Sequence, residues 1–574
     1  MMFAKKVERP RELKWYQAAA MLYGDWGTSK AYVLGIAFAL VGHASWLFLG
    51  LMSGLTALIG ICYMVICRIY PDGGGVYSSV KHRSQNLAML GAFLLIADYV
   101  VTASLSALDA FHYLSLPHPE LWAIGAIILI GAINWMGPTR GGDIASVIGI
   151  AAVASVLVLV FFTVPSLSHA QFTLPTGGLF KNWASFVGIV LALSGVEAIA
   201  NMTGIMVEPV AKTSKRAIWP VLIEVSVLTF ILGIAMNAVP GLGEHTEDML
   251  RALADHYIAP WYGQVISIIF GFLLLSAVNT ALTDLVNIQF LMAKDGELPP
   301  LFAKLNKFGM PWFALIVAAA VPALVLVIEH NLVRLAALYA IGVVGAITIN
   351  LGSCATNYKI LLKTWERTLL FFATIVLFFV ELTIAYEKRS ALIFATTVLI
   401  VGFTLRFMAK HFAGVPISTF VPEINVLTVS EAKALSSLYH GSSLVALRTL
   451  NPRLLDEAAL RVKARGDNSI YLSYVEPMPD FAELPEEVEP SKESIELLAH
   501  AQEEMEKRGI TAVPVWQAGE DAGKLIAMAA NELNVETVLI GATKRSGLMK
   551  LLRQDVFQSL ARRLDPKRHL LICS

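Results

Sequence analysis

The segment Gly24-Asp25-Trp26-Gly27-Thr28-Ser29-Lys30-Ala31-Tyr32 lies inside the first long apolar run of the chain, which extends from about residue 15 to residue 42. A carboxylate such as Asp25 within a membrane helix costs roughly 2.5–3.5 kcal/mol on insertion scales, so it is rarely there without a role. The flanking glycines and hydroxyl residues predict that the helix unwinds here and offers backbone carbonyls to a bound group. We therefore interpret the segment as one half of a cation site.

The composition indicates a membrane protein. Of the 574 residues 56% are hydrophobic and only 15% are charged, which is too apolar for a soluble globular chain. The formal net charge is zero and gives no reason to expect a nucleic-acid partner. The four cysteines are scattered without the spacing of a zinc or redox site, so we expect free thiols.

About twelve apolar segments have the length of a membrane span. They cover, approximately, residues 15–42, 46–70, 87–113, 121–136, 144–164, 183–207, 218–239, 261–292, 312–328, 332–358, 369–385 and 392–408. Lysine and arginine are concentrated in the connections on one side, which the positive-inside rule places in the cytoplasm. The sequence thus predicts an integral protein of a bacterial-type plasma (inner) membrane, with both termini cytoplasmic and with lipid as its surroundings.

A second interruption occurs in the sixth apolar segment, at Leu193-Ser194-Gly195-Val196-Glu197-Ala198, where a glycine again stands near a carboxylate. Matching breaks five helices apart are typical of transporters built from inverted repeats, with the binding site at mid-membrane between the two breaks. An ion channel would show a repeated filter motif, and none is visible in the sequence. We therefore predict a transporter with its site between the first and sixth helices.

The broken sixth helix, and Tyr70-Pro71-Asp72-Gly73-Gly74-Gly75-Val76-Tyr77 after the second span, resemble the amino acid–polyamine–organocation (APC) superfamily. The string Gly24-Asp25-x-Gly27-Thr28-Ser29-x-x-Tyr32 is similar to the first-helix signature of the KUP potassium-uptake family. The whole layout resembles the KimA-type importers of that group. This resemblance implies an α-helical polytopic fold with an APC/LeuT-type 5+5 inverted repeat over residues 1–412, and potassium import by proton symport through alternating access.

The resemblance also implies the binding residues. The potassium ligands it implies are Asp25 and Tyr32 in the first helix, Thr102 and Ser106 in the third, Ser194 in the sixth and Tyr339 in the tenth. Glu197 is implied as the proton-coupling group, and the transported species are K⁺ and H⁺, with no resident cofactor. The ligand set supplies only oxygen, which suits potassium, and it contains no sulfur or imidazole, which argues against a transition metal.

Several alternatives stay open. An amino acid or organic amine permease of the same superfamily would hold a substrate carboxylate on the amides exposed at the first break. An ionised Asp25 would repel that carboxylate but attract a cationic amine. Asp284 lies where sodium-coupled relatives place an ion, and Asp98 is expected near the cytoplasmic end of its helix or as a brace between helices. The hydroxyls of Thr102 and Ser106 could instead bond to their own helix.

The character of the chain changes at His411-Phe412-Ala413-Gly414-Val415-Pro416. Beyond it, short β-branched runs alternate with charged helices, which predicts a soluble α/β domain with a parallel sheet over residues 413–574. This domain resembles the universal-stress-protein fold, and related soluble domains associate, which implies a homodimer. No nucleophile–base pair and no Walker loop is visible, so we expect no enzyme activity.

A nucleotide site in this domain is one hypothesis. The nucleotide loop of the stress-protein family would begin at Gly541, but Lys544 stands at the position of its second glycine, with Arg545 and Gly547 beyond. The loss of two loop glycines disfavours close approach of phosphate to the backbone, although the basic residues would attract an anion. A dimerisation or folding module without a ligand is the preferred alternative.

Overall fold

Long apolar runs form the helices of the N-terminal domain, because a helix satisfies every backbone polar group within its own segment. The computed structural model describes residues 5–6, 11–136, 141–412, 424–436, 441–479, 485, 487–541 and 556–573. The helices of this domain are α1 (Trp15–Trp26), α2 (Ser29–Val41), α3 (Ser45–Ile69), α4 (Val76–Lys81), α5 (Gln85–Tyr113), α6 (Pro119–Asn134), α7 (Gly141–Thr163), α8 (Leu179–Val187), α9 (Ala198–Asn201), α10 (Val210–Ile223), α11 (Thr229–Met236), α12 (Met249–Tyr257), α13 (Pro260–Lys294), α14 (Trp312–Ile328), α15 (Leu332–Thr356), α16 (Thr364–Glu387) and α17 (Arg389–Phe412).

The long apolar helices correspond to the spans predicted from the sequence. Eight helical segments of the described chain are long and apolar enough to cross a membrane, and the pair Leu179–Val187 and Val190–Ile205, bent by 44°, makes a ninth. One of the eight, residues 15–69, is 55 residues long and turns at Gly42, whose φ is +53°. Counting that segment as two crossings and adding the shorter apolar helices α6 and α14 gives the predicted twelve spans.

Both predicted breaks are present, and their backbones touch. The first break, residues 27–28, separates α1 from α2, and the sixth break, residues 188–197, separates α8 from α9. Gly195 in the sixth break has a φ of +92°, which favours glycine. A Cβ atom on Gly195 would lie only 2.6 Å from the Trp26 amide nitrogen. The two unwound segments can therefore meet only because this residue has no side chain.

The C-terminal domain contains the predicted parallel sheet. Its strands are β2 (Ser443–Leu447), β3 (Ser469–Pro477), β5 (Thr511–Gly519), β6 (Thr537–Gly541) and β7 (His569–Cys573), in the spatial order β5-β3-β2-β6-β7, with every pair parallel. The helices are α18 (Val429–Ala434), α19 (Pro452–Arg465), α20 (Lys492–Lys507), α21 (Ala522–Glu532) and α22 (Val556–Arg563). Apolar clusters cover both faces of the sheet, which explains why its strands read as continuous hydrophobic runs. The boundary at residues 412–413 stays a prediction, since residues 413–423 lie outside the described chain.

The N-terminal arm connects the two domains. Its short strand β1 (Lys5–Lys6) pairs antiparallel with β4 (Glu487–Val488) of the C-terminal domain, and Lys5 Nζ lies 3.0 Å from a carboxylate oxygen of Glu431. Burial raises the pKa of the Glu431 carboxyl group. The hydrogen bond from the Thr428 amide and the nearby Lys5 ammonium together outweigh this effect and hold the pKa below its usual value. A sequence of two charged residues gives no strand signal, so this pairing was not predicted.

The arm then reaches the C-terminal end of the sixth helix. The Leu13 amide donates to the Ile205 carbonyl at 2.9 Å, and the Val207 amide donates to the Leu13 carbonyl at 3.0 Å. The guanidinium of Arg11 donates to the Thr203 carbonyl at 3.0 Å. Since α1 begins two residues after Leu13, the arm ties the C-terminal domain to the ends of both broken helices.

We expect the substitution Gly195→Ala to destabilise the folded transporter. A left-handed backbone costs a residue with a Cβ atom roughly 1–2 kcal/mol, and the added methyl group would also force the two breaks apart. The melting temperature of the purified full chain in detergent should fall by several degrees. Gly54→Ala is the matched control, because a Cβ atom there meets nothing within 4 Å. Equal melting temperatures for the two variants would contradict the tight contact of the breaks.

Candidate functional site

The predicted potassium ligands lie on the two broken helices and on the neighbouring helices α5 and α15. Asp25 lies in the last turn of α1 and Tyr32 in the first turn of α2, while Ser194 belongs to the sixth break. Thr102 and Ser106 share one face of α5, and Tyr339 lies in α15. Each of the six is at most 7% exposed. The six side chains are thus all buried, although they are far apart in the sequence.

The hydroxyl groups of four of these residues form a cluster. The Tyr339 hydroxyl donates to the Ser194 Oγ, which joins α15 to the sixth break. It also lies close to the side chains of Tyr32 and Thr102. Tyr32 in turn lies beside Asp25. The structure therefore brings five of the six predicted ligands together.

The two hydroxyls of α5 differ in their bonding. Thr102 donates its proton to the Asp98 carbonyl at 2.9 Å, so for this residue the bond to its own helix is present. Its oxygen lone pairs remain able to face a cation. Ser106 is buried one turn beyond Thr102 and makes no hydrogen bond to the other predicted ligands within the described chain.

The Asp25 carboxylate has no counter-ion. Within the described residues no basic nitrogen lies within 4.0 Å of its carboxylate oxygens and no donor bonds to them, although Asp25 is only 7% exposed. The main-chain carbonyl of Asp25 instead accepts from the amide and the hydroxyl of Thr28, at 3.2 and 2.5 Å. A buried charge left without a partner is costly, so either a proton or a nearby cation would stabilise this carboxyl group.

Glu197 stands immediately after the sixth break. One of its carboxylate oxygens accepts a long hydrogen bond of 3.4 Å from the Gly195 amide. The other oxygen is buried and has no hydrogen-bond partner in the part of the chain that is described. Glu197 lies within electrostatic range of Asp25. A proton on this carboxyl group would remove both the unpaired charge and the repulsion from Asp25.

Asp98 is a further acidic group, for which the sequence left two positions open; the one near the cytoplasmic end of its helix is wrong, and contact between neighbouring helices remains. It is in the middle of α5, fully buried, and neither of its carboxylate oxygens has a hydrogen-bond partner among the described residues. Gly342 of α15 permits this position, because a Cβ atom there would lie 2.7 Å from the Asp98 amide nitrogen. The spacing of Asp98, Thr102 and Ser106, four residues apart each time, was the signal that puts all three on one helix face.

The region of the alternative sodium site is engaged in helix contacts. The hydroxyls of Thr280 and Thr283 donate to carbonyls one turn earlier in α13, at 3.2 and 2.9 Å. Asp284 lines a cavity of about 10 Å³ together with Tyr99 and Asn201. This volume is at the lower limit of what holds one water molecule. No group of three or more His, Cys, Asp or Glu side chains suited to a metal ion occurs among the residues that the structure describes.

A buried ion pair beside the first break was not predicted. The Lys30 side chain is fully buried, and its ammonium lies 2.7 and 2.8 Å from the two carboxylate oxygens of Glu224. The Tyr23 hydroxyl donates to Glu224 at 3.1 Å and accepts from Lys30 at 3.2 Å. Tyr23 precedes the first break and Lys30 follows it, while Glu224 opens a π-helical turn, Glu224–Leu228, between α10 and α11.

The sequence held a usable signal for this pair. Lys30 is a cation in the first apolar segment, and Glu224 is the single acidic residue in the seventh, residues 218–239. Charged residues in membrane segments pair with one another when they face the bundle interior. The three side chains hold the two sides of the first break in a fixed relation to the seventh helix.

The predicted nucleotide loop is mostly outside the described chain. Gly541 is the last residue of β6, which lies between β2 and β7 in the sheet. Lys544, Arg545 and Gly547 lie outside the described residues. The nucleotide hypothesis therefore stays a prediction.

Comparison with known families matches both domains. The model of the family described as "Amino acid permease" matches residues 13–423, and that of the "Universal stress protein family" matches residues 445–565. A probable amino-acid permease of Schizosaccharomyces pombe is 26% identical over 150 residues, which cover 25% of this chain and 30% of that protein.

Two curated relatives are described as potassium transporters. The probable potassium transport system protein Kup of Xanthobacter autotrophicus is 31% identical over 156 residues, covering 23% of this chain and 25% of the relative. The probable Kup 1 protein of a Bradyrhizobium species is 32% identical over 156 residues, covering 23% of this chain and 26% of the relative. The chain thus spans about a quarter to a third of the length of the curated relatives it matches.

Two solved structures are also similar. A manganese transporter of Eremococcus coleocola aligns with a TM-score of 0.45 and 11% identity, over 71% of this chain and 97% of that one. A universal stress protein of Archaeoglobus fulgidus aligns with a TM-score of 0.19 and 20% identity, over 23% of this chain and 98% of that one.

We expect Lys30→Met to destabilise the protein strongly, because it leaves the buried Glu224 without its cation. Breaking a buried pair from one side typically costs about 3–5 kcal/mol, whereas replacing both partners by apolar residues is often nearly neutral. The double variant Lys30→Met/Glu224→Met should therefore recover much of the melting temperature that the single variant loses. Lys181→Met, at an exposed lysine, is the control. A double variant as unstable as the sum of its singles would contradict the pairing.

Proposed function

The chain belongs to the amino acid permease family, and on that premise we propose that this membrane transporter imports potassium together with protons by alternating access. The observation that carries the proposal is the unpaired Asp25 carboxylate between the two breaks, faced by hydroxyl oxygens. Potassium is bound in proteins by oxygen ligands that replace its water shell, and the hydroxyls of Tyr32, Thr102 and Ser194 are of that kind.

Electrostatics favours an inorganic cation over a zwitterion. Two unit charges 4 Å apart interact by about 4 kcal/mol at an effective dielectric constant of 20. That energy attracts a cation to Asp25 and equally opposes the carboxylate of an amino acid at the same place. A zwitterionic substrate would have to recover this cost elsewhere in the site.

We assign the proton to Glu197. Symport requires that the cation and the proton are carried together, and two carboxyl groups can divide that work. Asp25 stays ionised to hold the cation, and Glu197 carries the proton. The buried, unpaired oxygen of Glu197 supports this role, because protonation removes an uncompensated charge. Release to the cytoplasm would follow when solvent reaches the site.

The proposal extends to the setting of the protein. We place it in a bacterial-type plasma membrane with both termini in the cytoplasm, where its C-terminal domains associate into a homodimer. The soluble domain would then lie on the side that receives the imported ion.

An amino acid or organic amine permease is the second candidate. The similarity to an amino-acid permease of S. pombe over a quarter of the chain favours it. Asp25 would in that case hold the substrate ammonium group, and the amides at the first break would face the remainder of the substrate.

The experiment that tests the proposal is growth at low potassium in a bacterial strain without its own potassium uptake. The wild type should restore growth, and Asp25→Asn should lose it, because removal of the charge weakens cation binding by roughly 100-fold or more on the Coulomb estimate above. Glu197→Gln should also fail, while Glu387→Gln, at an exposed position outside the site, should grow like the wild type.

Failure of the wild type, with the protein shown to reach the membrane, would contradict potassium import. Uptake assays with labelled amines and amino acids would then test the second candidate. Full growth of Asp25→Asn would remove this aspartate from the site even if the wild type imports potassium.

The hydroxyl at position 194 gives a finer prediction. Ser194→Thr keeps the oxygen that accepts the hydrogen bond from Tyr339 and should retain potassium uptake. Ser194→Ala removes one proposed ligand and leaves the Tyr339 hydroxyl without its acceptor. Loss of one such hydrogen bond costs about 0.5–1.5 kcal/mol, so the apparent affinity for potassium should fall up to roughly tenfold. Concentration-dependent uptake of rubidium measures it. Equal affinities of the alanine variant and the wild type would place Ser194 outside the ion site.

A further inference from the structure

A basic groove lies between the first and seventh membrane helices, at the end that the charge distribution assigns to the cytoplasm. Its volume is about 590 Å³. The groove is lined by Trp15, Lys212, Lys215, Arg216, Trp219 and Pro220. None of these residues belongs to the proposed ion site.

The cations of the basic groove form a stripe along α10. Lys212, Lys215, Arg216 and Trp219 follow the spacing i, i+3, i+4, i+7, which puts them on one face of the helix. The opposite face, including Ala217 and Ile218, is buried against the bundle. All three cations are exposed, and none has a carboxylate oxygen within 4.0 Å in the described part of the chain. Three adjacent positive charges without partners repel one another, so an anion placed among them is stabilised.

The stripe changes from basic to apolar along the helix. Trp219 is 39% exposed and faces the groove with Trp15, which is 42% exposed. Tryptophan is enriched where a membrane meets water. One and two turns beyond Trp219, Ile223 and Val227 are 54% and 47% exposed. The surface thus presents cations first, then an aromatic pair, then an apolar path toward the middle of the membrane.

We propose that the basic groove binds an anionic phospholipid, with the phosphate held by Lys212, Lys215 and Arg216 and an acyl chain along Ile223 and Val227. Basic pockets at the cytoplasmic ends of membrane helices suit acidic headgroups, and arginine can bind phosphate through two parallel hydrogen bonds. A free phosphate would satisfy the cations but would leave the apolar path unused. A second copy of the chain on a twofold axis would bring two such basic stripes together, which like charges oppose.

The lipid would bridge two helices that carry the transport machinery. Trp15 begins α1, which contains Asp25, and α10 leads directly into the π-helical turn that Glu224 opens. The buried ion pair of Lys30 and Glu224 joins the same two membrane helices deeper in the bundle. A bound headgroup adds a second connection between them at the membrane surface.

Quenching of tryptophan fluorescence by brominated lipids tests the proposal. The purified full chain in detergent is titrated with phosphatidylglycerol or with phosphatidylcholine carrying the same brominated chains. The difference between the wild type and Trp219→Phe isolates the signal from the groove. The triple variant Lys212→Gln/Lys215→Gln/Arg216→Gln should need up to roughly 100-fold more phosphatidylglycerol for the same quenching, since each cation near an anionic surface contributes a factor of about five.

Two controls accompany the titration. The variant Lys304→Gln/Lys307→Gln/Lys359→Gln removes three exposed lysines from the same predicted side of the membrane and should behave like the wild type. Phosphatidylcholine should quench the triple groove variant and the wild type alike, which also shows that the variant is folded. Soluble glycerol phosphate, added at the concentration of the lipid, should leave the quenching by phosphatidylglycerol unchanged.

Three results would overturn the proposal. Equal responses of the triple groove variant and the wild type to phosphatidylglycerol would show that the cations do not select the headgroup. Loss of quenching in the presence of glycerol phosphate would assign the groove to a soluble anion. A Trp219 signal that neither lipid reaches would indicate that protein, such as a second copy of the chain, covers the groove.

Discussion

The close contact between two interrupted helices, beside the buried Asp25 carboxyl group, is the constraint on which the membrane domain depends. A carboxylate in this position is tolerated only where the backbone is unwound, because freed amides and carbonyls then line a cavity instead of lipid. Unwinding at both places requires that the two breaks meet closely, and Gly195 permits this contact with Trp26. The Asp25 carboxyl group, the glycine at position 195 and the interruption of both helices therefore depend on one another.

Much of this arrangement can be predicted from local sequence. Glycine beside a carboxylate in an apolar run marks both breaks, and apolar length gives the spans. In the soluble domain, alternation of short β-branched runs with charged helices gives the parallel sheet. Local patterns do not give the pairing of distant charges: Lys30 and Glu224 are 194 residues apart, and only the presence of opposite charges in two apolar segments points to their pairing. The choice between the two positions expected for Asp98 was open for a related reason, since it depends on where α5 begins and on the contact with Gly342.

The groups that stabilise the first break connect it to neighbouring parts of the protein. The ion pair of Lys30 and Glu224 holds α2 to the seventh helix, and the Tyr23 hydroxyl extends the same network to α1. The arm that precedes α1 bonds both to the end of the sixth helix and to the C-terminal domain. Hydrogen bonds of the arm thus contact both broken helices and the C-terminal domain, and a two-residue strand of lysines gave no sign of this in the sequence.

We propose above all that the site at the two breaks binds potassium through Asp25. The most direct test is the melting temperature of the purified full chain as potassium replaces choline at constant ionic strength. A ligand that binds the folded state alone raises stability by an amount that grows with its concentration relative to Kd. We expect the melting temperature to rise with potassium by more than it rises with sodium or with amino acids. In Asp25→Asn this rise with potassium should be absent. A melting temperature that does not respond to potassium, or that responds equally in Asp25→Asn, would contradict this proposal.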